Sequence, residues 1–455
     1  MKPRTAILWT SALVAAALLL RLHRLGEGLW LDEISTWIRY MRLPLADIPR
    51  IYGSENQHFL FSLLARLSMN VFGESAWAFR LPAVLFGAAS IAAMYLFAAE
   101  TASRKEGVLS AALLTFSYHH IWFSQNARGY SGLLFWTLLA SWLLVRALKD
   151  DTRRLWLFYA ASAALGVYTH ATMAFVLLAH ALIAAWLCQA SNRWRGALFG
   201  FSLGAALTFL LHAPALPSIL AGLRSTVSTV EEWRSPLWTL LELAQGIRVS
   251  FAGIIAAWAA LILFATGALS FYRTRPVVLA LLVLPPVLGS AILLSIGHHV
   301  WPRFFYFAFG FGALVVVRGA LSVPRVGTAL AVAIVAVSAL SVPFAYGPKQ
   351  DFGAARQLIL ANARPGDAIA TCDLATWVYQ RFYFDNFTDL RSVDQLNSLR
   401  PASGRTWIVY TLEPVFRAQL PQLLEAIRRD TRIVKVFPGT LRAGEVTVCL
   451  RETRP

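Results

Sequence analysis

The sequence predicts an α-helical polytopic membrane protein of about eleven spans, with a small α/β domain at its C-terminal end. Three observations predict it. Of the 455 residues, 57% are hydrophobic and only 14% charged, whereas a soluble domain carries about a quarter charged residues. The apolar residues fall in blocks of roughly 16 to 25, each near the length that crosses a bilayer. After Tyr346 these blocks stop, and charged residues return in alternating helix and strand patterns.

The first span is expected over 5–22. Its flank, MKPRTAILWTSALVAAALLLRLHR, has the basic start and apolar core of a signal peptide. No small-x-small cleavage site follows that core, so it reads as a retained anchor. Lys2 and Arg4 place the N-terminus in the cytoplasm. A first outer loop follows, 23–75. Within it HFLFSLLARLSMNVFG is interrupted by Arg66 and Asn70 and reads as an amphipathic helix lying at the interface. Further spans are expected near 76–99, 107–122, 131–148, 155–170, 172–188, 197–213, 249–271, 276–296, 304–318 and 326–345. The inner loops ASRKEG, KDDTRR, SNRWR, YRTR and RGALSVPR are short, and each carries at least two Lys or Arg. Counting 59–72 as a span would move SRKEG, DDTRR and YRTR outside, against the positive-inside rule. The expected organisation is therefore a membrane domain, 1–345, in the plasma (inner) membrane, and an extracytoplasmic α/β domain, 346–455.

The net charge of +17 is explained largely by the inner loops and contact with membrane lipids. It gives no reason to invoke nucleic acid. The outer side nevertheless holds Arg21, Arg24, Arg39, Arg42, Arg50, Arg66, Arg80, Arg128 and Arg303. Snorkelling to lipid headgroups accounts for most of them. It accounts less well for Arg128 and Arg303, which sit in short aromatic turns and suggest an anionic ligand.

In the C-terminal domain, DFGAARQLILANA and EPVFRAQLPQLLEAIRRD read as helices, and DAIATC, TWIVYTL, RIVKVF and EVTVCL as strands. Cys372 and Cys449 both fall in these strands, as a disulfide or as two buried thiols.

Asp32 and Glu33, in LWLDEI, are the first candidates for chemistry. The plain reading is a helix start, where acids complement the dipole. The functional reading is a general base acting on a hydroxyl or amine, in a partly desolvated setting between tryptophans. GSENQHFLF offers Glu55, Asn56, Gln57 and His58, as caps or as groups facing a sugar or phosphate. FSQNARGYS offers Gln125, Asn126, Arg128 and Tyr130, a turn too polar for lipid unless it lines a wet cavity. Tyr168 and His170 in YTH, and His298, His299 and Arg303 in HHVWPRFFY, complete the set. Adjacent histidines on a helix point about 100° apart, so no metal site is assigned, although a divalent metal requirement is left open. The sequence has no P-loop, dinucleotide glycine fingerprint or Gly-x-Ser-x-Gly, and no cofactor is expected.

LWLDE after the first span, His58 in HFLFSLLARLSMNVFGES, then FSQNARGYS, YTH and a late outer Arg-Phe pair together resemble one family. These are the bacterial membrane glycosyltransferases of the GT-C fold, broadly related to protein O-mannosyltransferases and the lipid A aminoarabinose transferase. The resemblance covers about 1–345 and is densest over 25–170. It implies transfer of a sugar from a polyprenyl phosphate carrier to an acceptor, here unknown, on the outer face of the membrane. It implies that Asp32, with Glu33 beside it, engages the acceptor. It also implies that Arg128 and Arg303, with His58, Tyr130 and His170 around them, hold the donor and its phosphate. Two positions depart from the family pattern. The usual His-Pro is His58-Phe59, and the frequent Gln-Glu-Ala-Arg is Gln125-Asn126-Ala127-Arg128, which lacks the carboxylate. The main rival reading is a polyprenyl-lipid or glycan transporter or flippase, which would require charged residues and paired breaks within spans. A noncatalytic assembly or sensor protein is the third.

Overall fold

The structure is a computed structural model that describes residues 1–54, 56–191, 194–222, 230–251 and 253–452. The chain divides into two compact units. The second holds residues 26–42 and the chain from Tyr346 onward, and the first holds most of the rest. The helices in order are α1 (Pro3–Leu22), α2 (Leu31–Thr36), α3 (Phe59–Phe72), α4 (Ala76–Thr101), α5 (Arg104–Thr115) and α6 (Tyr118–Ser124). There follow α7 (Tyr130–Asp150), α8 (Arg153–Thr169), α9 (Met173–Ser191), α10 (Trp194–His212) and α11 (Leu216–Gly222). The set closes with α12 (Pro236–Ser250), α13 (Ile254–Thr274), α14 (Pro276–Ser295), α15 (Phe309–Leu321) and α16 (Gly327–Leu340).

Among the described residues, eight helical segments are long and apolar enough to cross a membrane. The chain is a multi-pass membrane protein. The other three expected spans take different forms. Helices α8 and α9 are 17 and 19 residues long, near the minimum for a crossing. The span expected over 107–122 is broken into α5 and α6, because Ser117 caps the second piece by accepting the His120 N–H.

A break in a span frees carbonyls that lipid cannot satisfy. Arg21, fully buried at the end of α1, supplies the donors. Its guanidinium donates to the carbonyls of Leu114 at 3.2 Å and Thr115 at 3.4 Å, and it also contacts Ser124 and His120. Arg80 is buried too and donates to Leu25 O at 2.9 Å. Snorkelling is therefore the wrong account of both residues; they hold the first unit together.

Side-chain ties sort the loops of the first unit by end. At one end Arg318 pairs with Glu106 at 3.0 Å, Lys149 with Glu100 at 3.2 Å, and Arg275 donates to Thr101 O at 2.7 Å. At the other, Arg80 meets Leu25, Gln125 meets Arg21 and His23, and His58 meets Thr169. The basic loops around 102–107, 149–154, 272–275 and 318–325 thus share one end. Helix α3 begins at the opposite end, at His58, and finishes there too, where Ser68 donates to Ala78 O at the start of α4. Its 14 residues lie along that end rather than crossing between the two.

The second unit is built on a five-stranded sheet of order β2-β1-β3-β5-β4. Its elements are α17 (Phe352–Asn362), β1 (Ala368–Cys372), α18 (Leu374–Arg381), β2 (Thr388–Leu390), α19 (Val393–Ser398) and β3 (Arg405–Thr411). Then come α20 (Glu413–Gln419), α21 (Pro421–Asp430), β4 (Arg432–Phe437) and β5 (Val446–Glu452). β1 runs parallel to β2 and β3, and β5 runs antiparallel to β3 and β4. Cys372 and Cys449 are buried free thiols. Strand β3 lies between theirs, which puts them at least about 9 to 10 Å apart, beyond the reach of a disulfide. The helix expected over 413–430 is two, divided at Pro421, which lacks the N–H that would continue the first.

Candidate functional site

The turn between α6 and α7 is buried although it reads Gln-Asn-Ala-Arg-Gly. Gln125 fixes it by donating to the carbonyls of Arg21 at 3.0 Å and His23 at 2.5 Å. The chain then bends back sharply, with the Arg128 N–H donating to Asn126 O at 2.6 Å. Arg128 is 2% exposed, and its guanidinium carbon lies 5.9 Å from the ring of Tyr130, the first residue of α7.

His58 precedes α3 and reaches the same place. Phe59 stacks on Tyr168 at 5.3 Å and so holds the start of α3 against the end of α8. The His58 Nδ1–H donates to Thr169 O at 3.3 Å. The His58 ring lies 4.8 Å from that of His170 and 5.5 Å from that of Tyr130, and the last two are 5.2 Å apart. Gly129 permits the approach. A Cβ there would lie 2.7 Å from Thr169 O and 3.0 Å from His58 Nδ1.

The segment 302–308 brings the second arginine. Arg303 lies 3.8 Å over Trp301, and Tyr306 packs on Phe123 at 4.3 Å and near Tyr130 at 6.4 Å. Burial pushes His58 well below the usual imidazole range, and Arg128, His170 and Arg303 depress it further. Burial is also the largest cause at His170, just beyond α8, which is pushed down to about 3 with help from Arg128 and Arg303. Two guanidiniums therefore act on both imidazoles, and with burial they favour the uncharged form of each. The five residues expected at the donor, His58, Arg128, Tyr130, His170 and Arg303, lie together in the first unit.

Asp32 and Glu33 belong to the second unit. There the Leu31 N–H donates to Gln350 Oε1 at 3.0 Å, and Gln350 in turn donates to Thr411 Oγ1 at the end of β3, at 3.1 Å. Trp37 packs edge-on to Phe382, and Arg39 lies over Trp377. Arg42 donates to Arg381 O. Arg39 and Arg42 thus have protein partners here, not lipid headgroups alone. The two acids differ. Glu33 is fully buried, and its carboxylate accepts the Trp30 N–H at 3.4 Å, so it serves the start of α2. Asp32 is half-buried. The sequence treats the acids as a catalytic pair, and Glu33 also caps the start of α2.

Glu55 lies outside the described residues. Gln57 is structural, donating to Ile48 O and Ile51 O. His298 contacts the carbonyl of His299. Among the described residues, no three His, Cys, Asp or Glu side chains are placed to hold a metal ion. Sequence reasoning missed Gly129, Thr172 and Tyr306. A glycine after an arginine, or a tyrosine in an aromatic run, carries no signal of its own.

The apolar helices of the described residues, with a polar cluster at the end opposite the basic loops, form a membrane protein of the GT-C fold. Solved structures share this fold. ArnT from Cupriavidus metallidurans in its apo state superposes with a TM-score of 0.51 at 13% identity, covering 98% of each chain. The apo oligosaccharyltransferase of Archaeoglobus fulgidus gives 0.54 at 11% identity, over 93% of this chain and 73% of that one. The same archaeal enzyme, AglB, in complex with an inhibitory peptide and a dolichol-phosphate gives 0.51 at 12%, over 93% and 72%. Residues 56–217 match the family model described as dolichyl-phosphate-mannose-protein mannosyltransferase. That stretch contains His58, Arg128, Tyr130 and His170 and stops before Arg303. Among curated proteins, none matches the chain.

Proposed function

We propose that the protein is a glycosyltransferase that moves a sugar from a polyprenyl phosphate donor to a lipid, glycan or protein acceptor at the outer face of the plasma membrane. The observation that carries this is the meeting of Arg128 and Arg303 on one buried cluster in a GT-C fold. Two cations converging on one polar cluster suit an anionic ligand. The matched mannosyltransferase family and the dolichol-phosphate held by the archaeal relative supply the class of anion. A transporter gains no comparable support.

In this reaction the acceptor oxygen bonds to the anomeric carbon as its proton passes to the Asp32 carboxylate. The bond from that carbon to the phosphate oxygen breaks, and the electron pair leaves on phosphate. The leaving group is already an anion, so no general acid is required. Arg128 and Arg303 stabilise its growing charge. A positioned base contributes roughly 10²- to 10⁴-fold in rate. The N-terminus and basic loops are cytoplasmic in this scheme, and residues 346–455 are outside.

The test is lipid analysis of a strain lacking the protein. A polyprenyl-phosphate-linked sugar should accumulate and disappear on complementation with wild type, but not with Arg128→Ala. An unchanged lipid profile would overturn the assignment.

A further inference from the structure

The two neighbouring imidazoles, 4.8 Å apart, have opposite polarity, and their backbone partners fix it. A carbonyl only accepts, so the contact from His58 Nδ1 to Thr169 O at 3.3 Å puts the proton on Nδ1. His58 Nε2 is then a bare lone pair. It is buried and has no hydrogen-bond partner among the described residues, and the residue is only 3% exposed. An amide N–H only donates. The contact from the Thr172 N–H to His170 Nδ1 at 3.3 Å, with Thr172 Oγ1 at 2.9 Å, leaves the proton of His170 on Nε2. His170 can give a hydrogen bond, and His58 can only take one.

A phosphate oxygen also carries only lone pairs, so His58 Nε2 repels the anion that the arginines attract. Of the two expectations for His58, a sugar or a phosphate, this polarity favours the sugar. A cation or ammonium group is disfavoured at the same nitrogen by Arg128 and Arg303. The remaining partner is a neutral donor beside the anion. We propose that His58 Nε2 accepts a hydrogen bond from a hydroxyl of the sugar carried by the lipid phosphate. This makes His58 the residue that separates the loaded carrier from the bare one. The inference rests on the proposed donor class and deepens it. A buried acceptor built for a hydroxyl discriminates against a ligand that lacks it, because the acceptor is then left unpaired.

The experiment measures binding of undecaprenyl phosphate, and of the same lipid carrying mannose, glucose or arabinose, to detergent-purified protein. Wild type should bind one glycosylated lipid more tightly than the bare lipid. His58→Asn keeps a donor near Nδ1, so the Thr169 contact survives, but it removes the Nε2 acceptor. It should bind bare lipid as wild type does while its preference for the glycosylated lipid falls about tenfold. His58→Gln, which carries an amide oxygen near Nε2, should recover part of that preference. Equal weakening of both lipids in His58→Asn would overturn the inference and make His58 structural or phosphate-binding. An unchanged preference would overturn it as well. If His58→Asn does not fold, monodeoxy sugar lipids decide on wild type and His58→Gln. One deoxy position should cost wild type about tenfold and His58→Gln less, and equal costs at every position would refute the assignment. Failure of wild type to bind even bare lipid would instead sink the donor class itself.

Discussion

Gly129→Ala tests the site by pressure alone. Gly129 has φ −76° and ψ 2°, which any residue adopts, so the backbone gives no objection to alanine. The objection is space. The new methyl would meet Thr169 O at 2.7 Å, His58 Nδ1 at 3.0 Å and His58 Cβ at 3.1 Å, where ordinary contact begins near 3.4 Å. The imidazole must retreat by about 0.4 Å and the carbonyl by about 0.7 Å. Either movement stretches the 3.3 Å contact between them towards or beyond hydrogen-bond range. Overpacking of this kind costs about 1–3 kcal/mol, and a shift of this size in a binding group costs tenfold or more in function. Thermal melting in detergent and binding of the lipid-linked sugar measure the two effects separately. Gly312→Ala is the control, because a Cβ there meets nothing within 4 Å. If Gly129→Ala melts and binds as Gly312→Ala does, the close approach of His58 to the turn is not what the site depends on.

Arg128→Lys and Arg303→Lys should each raise the donor KM while leaving melting nearly unchanged, since lysine keeps charge but not the planar fork. The double variant should lose less than the sum of the two, because both act on one leaving group, and strictly additive losses in transfer assays would show independent roles. Asp32→Asn should reduce transfer at least a hundredfold with bare-lipid binding intact, whereas Glu33→Gln should show mainly as a lower melting temperature. Retention of more than about a tenth of wild-type turnover in Asp32→Asn would count against the base. His58 is held neutral when folded but takes a proton near pH 6.5 once unfolded. Its contribution is therefore constant above that pH and turns destabilising below it, by up to about 1.4 kcal/mol per pH unit. Melting curves from pH 7 to pH 5 should fall for wild type and fall less steeply for His58→Asn.

Apolar block length was enough to place eight of the expected membrane helices among the described residues, since it answers to bilayer thickness. The basic loops were equally readable, and their side chains meet at one end through Glu100, Glu106 and Thr101. The break at Ser117 was not, because a serine inside an apolar run is tolerated in a continuous helix as often as it caps a new one. α18, β2 and α19 were missed because they are only 8, 3 and 6 residues long, too short for a period to show. Arg128, Tyr130 and His170 were found as polar residues where lipid should be. Their meeting with His58 and Arg303 was carried by the resemblance, since spacing in sequence does not encode convergence across helices. The roles of Arg21 and Arg80 were misread because an arginine at a span end looks the same whether it faces headgroups or a neighbour's carbonyls. The polarity of the two imidazoles depends on backbone partners in other helices and could not be read at all.

The guanidinium of Arg21 and the carbonyl of Leu114 that it satisfies are 93 residues apart in the chain. At a synthesis rate of about 5–20 residues per second, α1 reaches the bilayer roughly 5–20 s before its partner exists. During that interval the guanidinium has the Ala17 carbonyl of its own helix, at 3.0 Å, together with water and headgroups. The first helix is therefore a provisional insertion, anchored by an arginine at the surface. The full set of contacts of that arginine exists only once the broken third passage has been made. The polar end of the first unit is thus closed by contacts between distant parts of the chain, and slowing translation between codons 22 and 114 should lengthen the stage before they form.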